Sequence, residues 1–422
     1  MGNNIGVFAI FARQFIESMK KLLSLVGTLA LFFALFSCSK DEEEKTMEDN
    51  PFKQLELSTK ASDFINSGSR FSFEFIDRIN AVSEKDYIVS PLSMQFLLGM
   101  LLNGADDKTA DEICAVLGYG EGETAAVNEF CLTMLEQLPQ LDKQTRMNIA
   151  NAIFVNERYP LLDAFKNATG DYYQAEVSNL DFSKEKKALE AINGWCSKQT
   201  KGMVPKILEE IDPEVAVYLL NALYFKSQWT EPFKKSATTE EVFTRESGKT
   251  SKVKMMKKTE SLRYVENDCY QTVIIPYGNK VFSMYVFLPK AGHTIAEITE
   301  RLRNEELEQA LRNQVICKVD LWLPRFETEF GMDVTGILSA MGLPNVYTAM
   351  AEGPVNLDFI VQKAAIKVNE EGTEAAAVSM AGAKGGVLLQ GSADFHANHP
   401  FLYLIIENTT RAILFAGRYG GE

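Results

Sequence analysis

Residues Val368 to Ser379 read V-N-E-E-G-T-E-A-A-A-V-S, and the interpretation of the whole chain depends on this stretch. Ile366 and Val368 alternate with polar residues, which is the period-two pattern of a strand. Small residues then share one face at strand spacing, namely Thr373, Ala375, Ala377 and Ser379. A segment that must enter a crowded sheet needs such a face, because larger side chains would overpack the core. The same composition also fits an alanine-rich loop or a short helix start.

Composition limits the class of protein. The 422 residues carry a formal charge of −14, which argues against nucleic acid as a partner. The one basic cluster, between Lys249 and Arg263, is interpreted as a solvated strand-and-turn face. Hydrophobic residues make up 46% of the chain, and no linker rich in proline or glycine interrupts residues 56–420. We therefore predict one α+β domain, although the length alone suggests more than one.

The N-terminus is typical of a targeting segment. Met19-Lys20-Lys21 precedes an apolar run from Leu22 to Phe36, which is short for a membrane span. We predict that residues 1–37 are a signal peptide, with Met19 as the true start of translation. Residues 38–58 then form a flexible acidic tether, and 59–422 the folded domain.

The residues around Cys38 carry a first resemblance. The ending Leu35-Phe36-Ser37-Cys38 resembles the lipobox of bacterial lipoproteins, which implies lipid attachment to Cys38 and a membrane anchor. The acidic run Asp41 to Glu44 resembles an export signal of some Gram-negative bacteria. It implies an outer-membrane lipoprotein that faces the cell exterior.

The chain shows no pattern for enzyme chemistry. Three histidines are present (His293, His396 and His399), but there is no G-x-S-x-G elbow and no H-E-x-x-H motif. Gly248-Lys249-Thr250 resembles the end of a P-loop, yet Phe243 stands where that motif requires its first glycine. We expect no catalytic residue, no metal and no cofactor, and we expect that the protein is not an enzyme.

The six cysteines show no zinc-type spacing. They are Cys38, Cys114, Cys131, Cys196, Cys269 and Cys317. The last five lie among apolar residues and are predicted to be buried thiols.

Four stretches give the clearest secondary-structure signals. Val215 to Phe225 is almost wholly apolar and predicts a central strand. Ser90-Pro91 predicts the first turn of a helix. Thr109 to Glu112 has the spacing of a capping box, and Met332 to Met341 is predicted to be a helix that ends at Gly342.

Several stretches, in the same order along the chain, resemble the serpin family over essentially the whole predicted domain. They are Ile88–Ser93, Gly104–Leu117, Ile192–Trp195 with Thr200–Gly202, Asn221–Lys226 with Trp229, Leu321–Phe326, Val368–Ser379, and His399–Phe401 with Phe415–Arg418. The resemblance implies a serpin-like α+β fold with three β-sheets, about nine helices and an exposed reactive loop. It also implies inhibition of serine, and also cysteine, endopeptidases by a suicide mechanism. The inhibitor would be a monomer that forms a covalent acyl-enzyme complex with its target protease.

The resemblance assigns two groups of site residues. The hinge of the loop comprises Glu370, Gly372, Thr373, Ala375, Ala377 and Ser379. The shutter, a polar cluster under the strands that must part, comprises Ser90, Ser93, Asn221 and Gln362. The family usually has histidine where Gln362 stands, and glutamine can still donate and accept hydrogen bonds.

The scissile bond is assigned to a region. Counting forward from the hinge places the residue before the cut at Gly386, and counting back from His399-Pro400 places it at Leu389. The scissile region is therefore Gly386, Val387, Leu388 and Leu389, in a loop slightly longer than usual. Its apolar residues suit elastase-like, chymotrypsin-like or papain-like proteases, whereas Lys384 would suit a trypsin-like enzyme. The alternative is a non-inhibitory binding protein of serpin fold that is cleaved as a plain substrate.

Overall fold

The computed structural model describes residues 50–83, 85–343, 347–351, 353–356, 360–373 and 390–421. The α-helices in these ranges are α1 Thr59–Val82, α2 Pro91–Leu102, α3 Asp107–Leu117, α4 Thr124–Gln137, α5 Asp163–Tyr173, α6 Glu185–Gln199, α7 Ile295–Arg301, α8 Leu307–Arg312 and α9 Thr335–Ala340. Among the helices of these ranges, none is both long and apolar enough to cross a membrane.

The strands run through the whole domain. They are β1 Tyr87–Val89, β2 Arg146–Asn156, β3 Glu176–Leu180, β4 Val217–Gln228, β5 Thr239–Thr244, β6 Thr250–Glu266, β7 Tyr270–Pro276, β8 Phe282–Pro289, β9 Val315–Pro324, β10 Phe326–Asp333, β11 Tyr347–Ala351, β12 Gly353–Asn356, β13 Val361–Asn369, β14 Gly372–Thr373, β15 Ser392–His396, β16 Phe401–Glu407 and β17 Ile413–Tyr419.

These strands form three sheets, and the six-stranded one contains the candidate site. Its order is β10-β13-β14-β4-β2-β3, with β4 in the interior as the apolar run predicts. A nine-stranded sheet has the order β1-β17-β16-β8-β7-β6-β9-β15, with β5 on β6. The third sheet is the hairpin of β11 and β12. The 17-residue β6 pairs with β5, β7 and β9, and it therefore joins the two halves of the large sheet.

Helix α2 lies in the core, where it contacts both β4 and β17. All of its residues are buried, because its apolar side chains surround the whole helix and not one face of it. Ser90 is its N-cap and accepts a hydrogen bond from the Ser93 N–H at 3.2 Å. This cap places the polar start of α2 beneath β13.

Two element predictions were wrong at their boundaries. Helix α3 begins at Asp107 and not at a Thr109 cap, because the Asp106 carboxylate accepts the Thr109 N–H at 2.7 Å. Met332 belongs to β10 and not to a helix, because it pairs with Gln362 across the β10–β13 ladder. For α3 a neighbouring cap residue outweighs the local sequence pattern, and for Met332 a cross-strand partner does so.

Candidate functional site: the hinge and the strands beside it

The predicted hinge enters the six-stranded sheet at one end. After β13 the chain turns at Glu370 and Glu371, and β14 then pairs with both neighbours. Gly372 lies opposite Asn369 on one side and Gln228 on the other. Asn369 closes the turn, since its side-chain oxygen accepts the N–H of Glu371 at 2.9 Å.

Gly372 is in a place where no other residue fits. Its φ is 154°, and a Cβ built there would lie 2.1 Å from the Ser227 carbonyl oxygen. The same Cβ would lie 2.7 Å from the Gln228 Cα, so the clash is with backbone that cannot turn away. The glycine therefore allows the start of the loop to approach β4 closely.

Thr373 is the first inward residue of the hinge, and it is 1% exposed. Its hydroxyl lies 2.6 Å from the hydroxyl of Tyr277. The Tyr277 ring stacks on Trp229, with ring centroids 4.4 Å apart. A small residue is needed here because the site is closed by these two large rings.

Trp229 also holds the turn before β14. Its indole Nε1–H donates to the Asn369 carbonyl at 2.9 Å, and its backbone N–H donates to the Glu371 carbonyl at 2.9 Å. From the sequence, Trp229 was named only among the stretches that carry the family resemblance, without this role, and Tyr277 was not predicted at all.

The Glu370 carboxylate is buried at the turn, with a side-chain exposure of 2%. It accepts hydrogen bonds from Arg325 and, at 2.8 Å, from the Thr238 hydroxyl. Burial works to raise the pKa of Glu370, but these bonds outweigh it and hold the pKa below the ordinary 4.5. Glu371 pairs with the exposed Lys235 at 2.6 Å, which raises the pKa of that lysine.

Ser90 is hydrogen-bonded to two other predicted shutter residues, since it caps the Ser93 N–H and pairs with Gln362. Gln362 donates to the Ser90 carbonyl at 2.7 Å, and its oxygen accepts the Ser90 N–H at 3.2 Å. The Ser90 hydroxyl donates to the Leu414 carbonyl at 2.7 Å. Gln362 thus joins β13 to the start of α2, using both the donor and the acceptor of its amide.

The side chains of Asn221 and Ser93 take no part in the pairing of Ser90 with Gln362. The Asn221 Nδ2 group donates to Asn151 on β2 at 2.7 Å, and Asn151 donates to the Tyr173 carbonyl at 2.6 Å. Within the described part of the chain, neither the Asn221 Oδ1 atom nor the Ser93 hydroxyl has a hydrogen-bond partner. Such buried polar atoms without partners are costly, and here one lies on β4 and the other in the first turn of α2.

In the described part of the sheet, β13 and β4 are joined by backbone hydrogen bonds only through β14. Across the described ranges, the ladders join β13 to β10 and β14, and join β4 to β2 and β14. The two strands are therefore neighbours that share no ladder of their own. The two strands also approach each other directly, so a further strand can enter between them only if they part.

The remaining predicted residues cannot be placed in this site. Ala375, Ala377 and Ser379 of the hinge, the scissile region Gly386 to Leu389, and Cys38 all lie outside the described residues. Their assignment stays a prediction from the sequence.

Three lysines of the basic cluster pair with neighbouring carboxylates. Lys254 pairs with Glu240 at 3.2 Å, and Lys257 pairs with Glu241. Lys258 pairs with Glu260 at 2.6 Å. The Lys254 pair fits the interpretation of a solvated face, whereas the Lys258 side chain is only 11% exposed and departs from it.

Comparison with known proteins identifies the family. The model of the family described as "Serpin (serine protease inhibitor)" matches residues 66–420. Human Serpin B3 is 30% identical, covering 84% of this chain and 98% of its own. The leukocyte elastase inhibitor of Xenopus laevis is 30% identical, covering 83% and 97%.

Solved structures confirm the expected α+β fold. Human thyroxine-binding globulin complexed with its hormone superposes with a TM-score of 0.79 at 26% identity, covering 86% of this chain and 100% of that one. Members of the family are mostly protease inhibitors, although some, such as thyroxine-binding globulin, are not.

This match bears on the expectation that the protein is not an enzyme. That expectation rests on the absence of catalytic motifs from the sequence, and the predicted role is that of a suicide substrate of a protease. Members of the family are protease inhibitors that act as suicide substrates, and so they enter the reaction of a protease without being its catalysts.

Proposed function

The chain belongs to the serpin family, and on that premise we propose that it is a suicide inhibitor of serine endopeptidases, with cysteine endopeptidases as a second target class. The observation that supports inhibition most directly is the position of β14. The first two loop residues already lie between β13 and β4, and no direct ladder joins those two strands across the described ranges. An added strand can continue from this point.

In the proposed reaction, the protease hydroxyl attacks a carbonyl carbon in the scissile region Gly386 to Leu389. The amine of the next residue leaves with a proton, and the loop is held to the protease through an ester. The freed loop then inserts beyond Thr373, with Ala375, Ala377 and Ser379 facing inward. Insertion must occur before water hydrolyses the ester, because hydrolysis would release an active protease.

The target class follows from the residues near the predicted cut. Val387, Leu388 and Leu389 are apolar and fit the specificity pockets of elastase-like and chymotrypsin-like enzymes. A relative that carries the name leukocyte elastase inhibitor is in keeping with this preference. Lys384 offers a trypsin-like site, but a cut there would shorten the loop that has to insert.

A non-inhibitory binding protein is the alternative. The similarity to thyroxine-binding globulin shows that a relative of this fold has that role. The alternative predicts cleavage of the loop without a trapped protease.

The test is to mix the full chain with elastase, chymotrypsin, trypsin and a papain-like enzyme, and to analyse the products on a denaturing gel. Inhibition predicts a covalent complex with at least one active serine protease. Cleavage by all four enzymes without a complex would establish the alternative. Mass spectrometry of the released loop peptide identifies the scissile bond.

The cellular location is a further part of the proposal. Residues 1–37 are removed, Cys38 is lipidated, residues 38–58 form a tether to a domain of residues 59–422, and the protein is anchored at the outer surface of a Gram-negative outer membrane. The support is the charge and hydropathy pattern of the N-terminus. Fatty-acid labelling that Cys38→Ala abolishes, together with digestion by protease added to intact cells, would support it. Labelling that persists in Cys38→Ala, or protection in intact cells, would contradict it.

A further inference from the structure

Three separate segments meet at the start of α7, away from the hinge. Cys269 lies in the turn between β6 and β7, His293 follows β8, and Glu297 is in the first turn of α7. One ligand atom from each of the three side chains lies within 4.8 Å of the others. We propose that these side chains form a zinc site.

The distance between two of the ligand atoms fits a shared ion. His293 Nδ1 and Glu297 Oε2 are hydrogen-bonded at 3.3 Å, and an ion bound between them would replace that bond. Nitrogen and oxygen ligands at about 2.1 Å from a tetrahedral zinc ion are roughly 3.4 Å apart. The imidazole and the carboxylate therefore already have the separation that such an ion requires.

The backbone around the cluster fixes its members. Cys269 is fully buried, and its carbonyl accepts the Lys290 N–H at 2.8 Å. This bond ties the cysteine turn to the connection that carries His293. The Thr294 N–H donates to Glu297 Oε2 at 2.8 Å and so orients the carboxylate. Partners of this kind hold metal ligands in place in zinc proteins.

The charges near the cluster favour a cation. Lys290 is paired with Glu266 at 2.6 Å, and Arg301 forms two hydrogen bonds with Asp268 at 2.8 and 3.0 Å. Both cations are thus neutralised by their own partners. The Glu297 carboxylate and a Cys269 thiolate would match the charge of Zn²⁺, and the thiol proton would be released on binding.

The donor set selects the metal. A thiolate is a soft ligand that magnesium and calcium do not prefer, whereas sulfur, imidazole and carboxylate together suit zinc. Three protein ligands leave the fourth position to water. The bound ion would join the β6–β7 turn to α7 and thereby stabilise this part of the domain.

A second cluster with possible ligands provides a built-in comparison. Asp320, Asp394 and His396 also bring their ligand atoms within 4.8 Å, on the outer face of β9 and β15. This cluster contains no sulfur. Co²⁺ bound there gives no thiolate-to-metal absorption, whereas Co²⁺ bound at Cys269 absorbs strongly in the near ultraviolet.

The experiment titrates Co²⁺ into the full chain with Cys38→Ser, so that the remaining cysteines are the five buried ones. We expect the thiolate band to saturate at one equivalent and to disappear when Zn²⁺ is added. The band should be lost in Cys269→Ser and unchanged in Cys317→Ser, which alters another buried thiol. In His293→Gln the apparent affinity for Co²⁺ should fall at least tenfold. Zn²⁺ should raise the melting temperature of the parent but not that of Cys269→Ser.

Absence of the thiolate band would overturn the proposal, and so would a band that persists in Cys269→Ser. If Cys269→Ser fails to fold, the His293→Gln variant is the test, because His293 is partly exposed. An unchanged affinity for Co²⁺ in that variant would also overturn the proposal. None of these outcomes bears on protease inhibition, since the hinge is not part of the cluster.

Discussion

Replacing Thr373 by arginine tests whether the hinge inserts where the structure places it. Thr373 is 1% exposed and closed in by Tyr277, whose ring stacks on Trp229. Burying an unpaired guanidinium there would cost roughly 3 kcal/mol or more. If that cost is present in the transition state for insertion, insertion slows on the order of 10²-fold. Hydrolysis of the acyl-enzyme is then faster than insertion of the loop, and the variant behaves as a substrate.

The assay measures the moles of inhibitor consumed per mole of protease inactivated, together with the covalent complex on a denaturing gel. Thr373→Ser is the matched control, because it keeps the hydroxyl that contacts Tyr277 and should behave like the parent. The uncleaved arginine variant should lose little thermal stability, since β14 can leave the sheet as part of the loop. A well-folded arginine variant that traps protease as efficiently as the serine variant would refute the reasoning.

Three smaller changes test the contacts around the hinge. Glu370→Gln should lower the free energy of unfolding by about 2 kcal/mol at pH 7. The pKa of Glu370 is lowered in the folded protein, so its contribution to stability is present above pH 4.5 and is lost as the pH falls below that value. Urea titrations should therefore show the difference between variant and parent shrinking below pH 4.5, and a constant difference down to pH 3 would contradict this. Trp229→Phe removes the indole N–H and should speed hydrogen exchange of the turn before β14, while unchanged exchange would show that the stacked ring alone holds the turn. Gln362→Ala leaves the Ser90 backbone without two partners and should cost roughly 2 kcal/mol in denaturant unfolding, and a neutral result would contradict its assigned role in the shutter.

The sequence predicted those parts of the fold and site whose cause is local. The apolar run that became β4 carries its structural reason in its own residues, whereas the need for Gly372 comes from the nearby backbone of β4. Thr109 and Met332 were misassigned because a neighbouring aspartate and a cross-strand partner decide their conformation. A single sequence does not show that a neighbouring cap or a cross-strand partner will override the local pattern.

The contacts that hold the hinge could not be predicted in the same way. Arg325, Tyr277 and Thr238 come from distant parts of the chain and meet Glu370 or Thr373 only after folding. The proposed zinc ligands show the same limit. They are contributed by three segments, so no spacing motif marks them, and the sequence predicted only that Cys269 is a buried thiol.

The central claim is that β13 and β4 part and accept the loop as a strand between them, and the melting temperature before and after cleavage of the loop tests it most directly. An inserted strand that gains roughly ten backbone hydrogen bonds would add on the order of 10 kcal/mol. For a domain of this size, that corresponds to a rise of about 10 °C or more. A cleaved protein that melts at the same temperature as the intact one would contradict the claim.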